Sequence, residues 1–368
     1  MRFTVNRRSF VDHLTRVARL AASRAVRPTL LGVALSAAEG QFQATCHTNS
    51  GDVVAWGSRY GAASVDEPGQ AIAPAAILRD TVKSLPGDTV TIETDDHDIA
   101  VSAAGGRSTI RQLGGVDDFP TEPDLGDEGL DVAWETVQPH VLAVAYAAST
   151  DRRRPILGGV CFAEGSTGLE LVATDSYRLA VSETGIPYPA GLGRPLFPAK
   201  LLGTEIPRLT GGGEWGIIHK RDDGRWLTIA GDEGALTVRG IEGAFPNYRS
   251  LIPEATAHYA TAPREAWLQA LASAKTVAAG HVPVRVVSLN GSGVELTVVR
   301  QDVGGFTGYV EGSRSDMPEG MMMAFNWKYL SDAVAHGGDE PTLQIVDPAK
   351  PAVLRDGGRT NLIMPVRL

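Results

Sequence analysis

Only two cysteines, Cys46 and Cys161, occur in 368 residues. Both lie in strand-like runs, QFQATCHT and LGGVCFAEG. They read as small buried hydrophobes and not as a disulfide framework. No apolar run reaches the roughly 18 residues that a membrane span needs. The opening MRFTVNRRSF lacks the apolar core of a secretory signal. These absences predict a soluble, cytoplasmic protein. There is no phosphate-binding P-loop and no GxSxG nucleophile elbow. No two of the eight histidines have zinc spacing. ETDDHD (Glu93 to Asp98) gathers acids around His97, but its place between TVTI and IAVS predicts a solvated hairpin turn. No catalytic residue, metal or cofactor is expected.

What is present begins with length. A chain of 368 residues exceeds one ordinary core, which predicts two or three domains. Forty-two glycines and 22 prolines suit many short strands and turns. The net charge is −9, which argues against nucleic acid only if the charges are evenly spread. A local positive field attracts phosphate whatever the sum.

One plan repeats three times: an opening strand, an amphipathic helix, several strands, a second helix, then more strands. The first helices are expected at Arg8 to Ala22, Trp134 to Ala148 and Arg264 to Val277. Phe10, Leu14, Val17 and Ala21 recur at helical spacing and define a buried face. The second helices begin at Pro74, Pro198 and Asn326, residue types that suit a helix entry. Arg27-Pro28 and Arg154-Pro155 each precede an apolar run expected to be a strand, TLLGVAL and ILGGVCF. Alternating runs such as TVTIET, LELVAT and ALTVRGI predict sheets with one covered face. The fold class is α+β: three domains, 1–125, 129–251 and 252–368, each with two helices packed on antiparallel sheet.

Basic residues gather on the helices. The first helix and its flank hold Arg7, Arg8, Arg16, Arg19, Arg24 and Arg27 against one acid, Asp12. Arg79, Lys83, Lys200, Arg208, Arg264, Lys275 and Lys328 lie on the others. A cationic helix face is usually just solvated. Six such helices at equivalent places could instead form one positive surface. A closed dimer would present twelve. At about 9 Å per helix they trace a circle roughly 34 Å across. Subtracting a helix thickness of about 10 Å leaves an opening of order 25 Å, the scale of a DNA duplex. Contacts there would go to phosphate, independent of sequence and sensitive to salt.

Three motifs carry a family resemblance. VATDSYRLAV (Val172 to Val181) resembles the "ATDGHRLA" signature of bacterial DNA sliding clamps, the beta subunits of replicative DNA polymerase III. GAFPNYRSLIP (Gly243 to Pro253) resembles their "FPDYRRVLP", and LIMPVRL (Leu362 to Leu368) their closing "MPMRL". The resemblance implies clamp-type domains closed into a ring as a head-to-tail homodimer. It implies a peptide-binding groove between the second and third domains, lined by Thr174, Tyr177, Arg178, Leu179, Pro246, Leu251, Leu362, Met364, Pro365, Val366 and Arg367. The apolar members would form a slot, with Met364 able to adapt to varied ligands. Thr174, Arg178 and Arg367 would anchor an extended partner motif. For TDSYRLA the residues also predict a strand followed by a turn, with Asp175 accepting backbone N–H bonds.

Implied partners are double-stranded DNA, the replicative polymerase, a clamp loader and repair proteins. Arg27 and Arg154 match the family's DNA contacts; Arg16, Arg19, Arg24 and Lys200 are added from charge alone. Ile110 and Val277 are candidates for the dimer contact, by edge-strand addition with a small apolar cluster. Tyr177 stands where many relatives have His, and Ser250 where many have Arg. Ala76, Pro155 and Ile156 stand at other family contact positions. Two further readings are a paralogous clamp whose altered groove resists an inhibitor, and a small-molecule enzyme. The latter would need a cluster of perturbed titratable groups, which the sequence does not show.

Overall fold

The computed structural model describes residues 1–21, 27–50, 53–126, 129–211, 215–254, 256–278, 282–289 and 293–367. Among the described residues six α-helices are α1 (Arg7–Val17), α2 (Ala75–Ser84), α3 (Trp134–Ala145), α4 (Ile206–Thr210), α5 (Arg264–Lys275) and α6 (Trp327–Ala335). The strands Arg2–Asn6, Leu130–Ala133 and His258–Thr261 lead into α1, α3 and α5. Gly69–Pro74 and Met322–Phe325 lead into α2 and α6, and Leu196–Pro198 opens the segment that ends in α4. The repeated order read from the sequence is therefore present in the elements.

Asn6 caps α1 by accepting the Ser9 amide at 3.0 Å, and Asn326 caps α6 by accepting that of Lys328 at 2.9 Å. Phe10, Leu14 and Val17 form the buried face of α1, as their spacing predicts. The helix ends at Val17, well short of Ala22. Leu20 instead turns inward, and a Cβ on Gly57 would lie 2.1 Å from its Cδ1. The glycine lets the sheet approach that close. The runs after Arg27 and Arg154 also differ from expectation. Each opens with a 3-10 turn, Pro28–Leu31 and Pro155–Gly158, before its strand begins. Proline at the first position fixes φ for a helical turn.

The chain forms two compact units, Met1–Gln138 with Lys200–Glu242, and Pro139–Ala199 with Gly243–Leu368. Strand pairing explains why each unit mixes distant segments. In the first, an eight-stranded antiparallel sheet joins Val53–Ala62 to Gly234–Arg239, with Gly57 opposite Leu236. In the second, a nine-stranded sheet joins Arg178–Glu183 to Arg359–Ile363, with Leu179 opposite Leu362. A five-stranded sheet in the first unit ends at Gly106–Arg111, and a four-stranded sheet in the second ends at Gly304–Tyr309.

The ETDDHD segment is a hairpin turn. Asp95 Oδ1 accepts the amides of His97 and Asp98, each at 2.8 Å. These bonds hold the Asp95 carboxyl below the usual range. Among the described residues no His, Cys, Asp and Glu group could hold a metal, and no helix is long and apolar enough to cross a membrane. Cys46 and Cys161 are free and buried.

Candidate partner surface and cationic helix face

The strand Leu169–Thr174 turns at Asp175 to Tyr177 into the strand Arg178–Glu183. Asp175 Oδ1 accepts the amides of Tyr177 at 2.9 Å and Arg178 at 3.0 Å, as the sequence predicts. Ser176 between them has φ +80°, a conformation costly for a residue with a Cβ. The family signature carries glycine at this place, which takes this conformation without strain. The turn presents Tyr177 to solvent, 60% exposed.

Arg178 points back into the second unit. Its Nε donates to Asp175 Oδ2 at 3.0 Å, Nη1 to Asp332 Oδ2 at 2.6 Å, and Nη2 to the Tyr146 carbonyl at 2.6 Å. The guanidinium lies 5.2 Å from the ring of Tyr146 and 4.6 Å from that of Tyr329. Burial raises both phenols above their ordinary value. Thr174 Oγ1 donates to the Arg178 carbonyl at 2.7 Å. The expected polar anchors Thr174 and Arg178 thus spend their hydrogen bonds holding the turn. Asp332, Tyr146 and Tyr329 complete this arrangement. Spacing could not reveal it, because Arg178 and Asp332 lie 154 positions apart.

The chain end passes along the same turn. The Met364 amide donates to the Tyr177 carbonyl at 2.9 Å and that of Val366 to the Ala324 carbonyl at 2.7 Å. Met364, Val366 and Arg367 are exposed and Pro365 is half-buried. Leu179 and Leu362 are 2% and 3% exposed, so they belong to the sheet core beneath. Neither side chain is exposed to line the open slot expected of it. Pro246 and Leu251 are exposed on a separate segment. Buried Tyr248 donates to the Glu170 carboxylate, which Arg249 also meets at 2.6 Å. Glu170 and Thr174 are four residues apart on one strand, so the two motifs are anchored about 13 Å from one another. The structure brings Tyr177 and Met364 together directly, while Pro246 and Leu251 lie either side of the residues that meet Glu170 on the strand leading to the turn.

In the first unit, Arg59 fixes α1 beside α4. It is 1% exposed, donates from Nε to His13 Nδ1 at 3.1 Å and from Nη1 to the Leu209 carbonyl at 2.6 Å, and pairs with Glu233 at 2.9 Å. Burial and the neighbouring guanidinium hold His13 below its usual range, so its ring stays neutral and accepts this bond. Arg16 Nη1 reaches the Arg208 carbonyl at 3.2 Å, and its Nε pairs with Asp12 at 2.8 Å. Arg19 pairs with Glu205 at 3.2 Å. Basic side chains from α1 and α4 therefore share one face. Lys200, Arg27 and Arg154 are exposed, while Arg24 lies outside the described residues. Ile110 is 6% exposed, and Val277 packs against the core around Trp267. Ile110 turns its side chain inward and presents little apolar surface.

These features define a class: mixed helices and antiparallel sheets with a cationic helical face and an exposed apolar turn. Two family models match the chain, the DNA polymerase III beta subunit N-terminal domain over residues 1–123 and its central domain over residues 131–247. The chain belongs to the DNA polymerase III beta subunit family. It is 29% identical over 372 residues to the beta sliding clamp of Synechococcus elongatus, covering 96% of each chain. It is 28% identical over 394 residues to that of Streptomyces coelicolor, covering 100% of both. The crystal structure of the C. crescentus beta sliding clamp matches with a TM-score of 0.85 at 26% identity, covering 100% of this chain and 99% of that one. A sliding clamp from Bartonella birtlesii, solved bound to griselimycin, shares the fold at a TM-score of 0.88 and 23% identity, over the full length of both.

Proposed function

We propose that this chain is a DNA sliding clamp, a non-enzymatic ring that encircles duplex DNA and keeps the replicative polymerase on it. Three clamp domains, 1–125, 129–251 and 252–368, supply two helices each. Two chains close head-to-tail, the edge strand Gly106–Arg111 of one adding to the edge strand Gly304–Tyr309 of its partner. Tyr309 is exposed on the latter and suits such a contact. The DNA lies against the basic helices, held by topology and by contacts to phosphate. Its work on chromosomal DNA places it in the cytoplasm.

Polymerase, clamp loader and repair proteins dock by short peptides on the surface around Tyr177, Leu251, Met364 and Val366. A few buried side chains supply the roughly 8 kcal/mol of micromolar binding, weak enough for partners to exchange. The observation that carries the reading is the meeting of α1 and α4. Helices from different segments put their arginines on one face, as a DNA-lined opening requires and an ordinary solvated helix does not. Light scattering at micromolar concentration tests closure. A particle of twice the 38.9 kDa chain mass is expected, and a strict monomer contradicts it.

A further inference from the structure

Glu205 is a buried carboxylate, 2% exposed. It ends a π-helical turn, Leu201–Glu205, in which the Ile206 amide donates to the Leu201 carbonyl five residues back. The extra residue shifts the register of the helix, and Pro207 follows. The carboxylate meets two cations: Arg19 Nε at 3.2 Å, from the turn just past α1, and Arg208 Nη1 at 3.7 Å, from α4. Both arginines are about half exposed on the cationic face, with side-chain exposures of 48% and 46%.

Burying a carboxylate for stability is a poor use of core space, because an apolar residue of similar size serves as well or better. The visible effect of Glu205 is on the arginines. It sets where their heads sit and offsets their charge from the inside. Resting on the clamp reading above, we propose that Glu205 is a positioning residue of the DNA-facing surface, an internal competitor that keeps Arg19 and Arg208 from locking onto individual phosphates. The face then attracts the duplex as a field but holds no phosphate tightly at this point. A clamp that must slide needs this balance. Arg19 is accordingly a field charge and not a direct phosphate contact.

The test is the salt dependence of duplex binding by the full chain, read by fluorescence anisotropy, for the parent and Glu205→Gln. Each arginine released to a phosphate steepens the slope of log K against log salt by about 0.9. Glu205→Gln is expected to steepen it by 0.9 to 1.8 on that scale, about a 3- to 12-fold larger loss between 50 and 200 mM salt. An unchanged slope in a folded variant overturns the proposal, since a purely structural glutamate would alter melting and not counterion release. A parent with no salt-dependent binding sinks the DNA reading itself, and this one with it. Should Glu205→Gln fail to fold, phenylglyoxal footprinting of the unaltered chain decides. DNA should protect Arg27 while changing Arg19 reactivity less than twofold. Equal protection of the two contradicts the proposal.

Discussion

Replacing Arg178 with alanine removes the cation between Asp175 and Asp332 and the donor to the Tyr146 carbonyl. Breaking a buried ion pair from one side costs about 3–5 kcal/mol, since the partner charge stays behind. Asp332 is partly exposed and keeps Lys328 at 2.8 Å, which favours the low end, about 3 kcal/mol. At 1.4 kcal/mol per decade, local opening rises on the order of 100-fold. Hydrogen exchange reads this directly, because amides in a packed strand exchange through such opening. Peptides spanning 169–184 and 359–363 should exchange on the order of 100-fold faster, and 215–231 in the first unit should not change. Arg178→Lys keeps the charge but cannot serve two carboxylates and a carbonyl with one fork, so about a tenfold rise is expected. A change below threefold for Arg178→Ala would refute the view that this arginine holds the turn and not a partner.

Two further outcomes follow from single residues. Ser176→Gly relieves the +80° φ, less the added freedom of the unfolded chain, for a gain of about 0.5–1 kcal/mol and a rise in melting temperature of a few degrees; a fall would show that the turn is unstrained. His47 is buried against Trp56 and its imidazole is pushed down to about 4 by desolvation. The folded state holds it neutral where the unfolded chain protonates it near 6.5. Its stabilising effect is therefore complete above pH 6.5 and is lost as pH falls toward 4, by up to about 3 kcal/mol. Urea midpoints across this range should fall less steeply in His47→Gln, and parallel curves would exclude the histidine as the cause.

The sequence made the repeat legible because its markers are local. Helix entries at Pro74 and Asn326, the apolar face of α1 and the Asp175 turn each depend on residues within one or two turns. What it hid depends on partners far along the chain. Leu20 turns in against Gly57, where any Cβ would clash with it. Arg178 looks like a free surface cation until α6 supplies Asp332. Arg19 looks like a free DNA contact until Glu205 takes it up. Tyr248 and Glu170 gave no signal, since an acid inside the strand LELVAT alternates as a solvated residue would. The family resemblance places Leu179 and Leu362 in an apolar slot, but strand pairing buries them opposite one another.

Topological capture of DNA is the central claim, and its most direct test compares retention on closed and open substrates. The chain is loaded by the cell's clamp loader onto a nicked circular plasmid, and half of the sample is then cut once. High-salt gel filtration should find the protein on the circle and free of the linear DNA, having slid off the ends. Equal retention on both, or equal loss from both, would contradict a ring around the duplex.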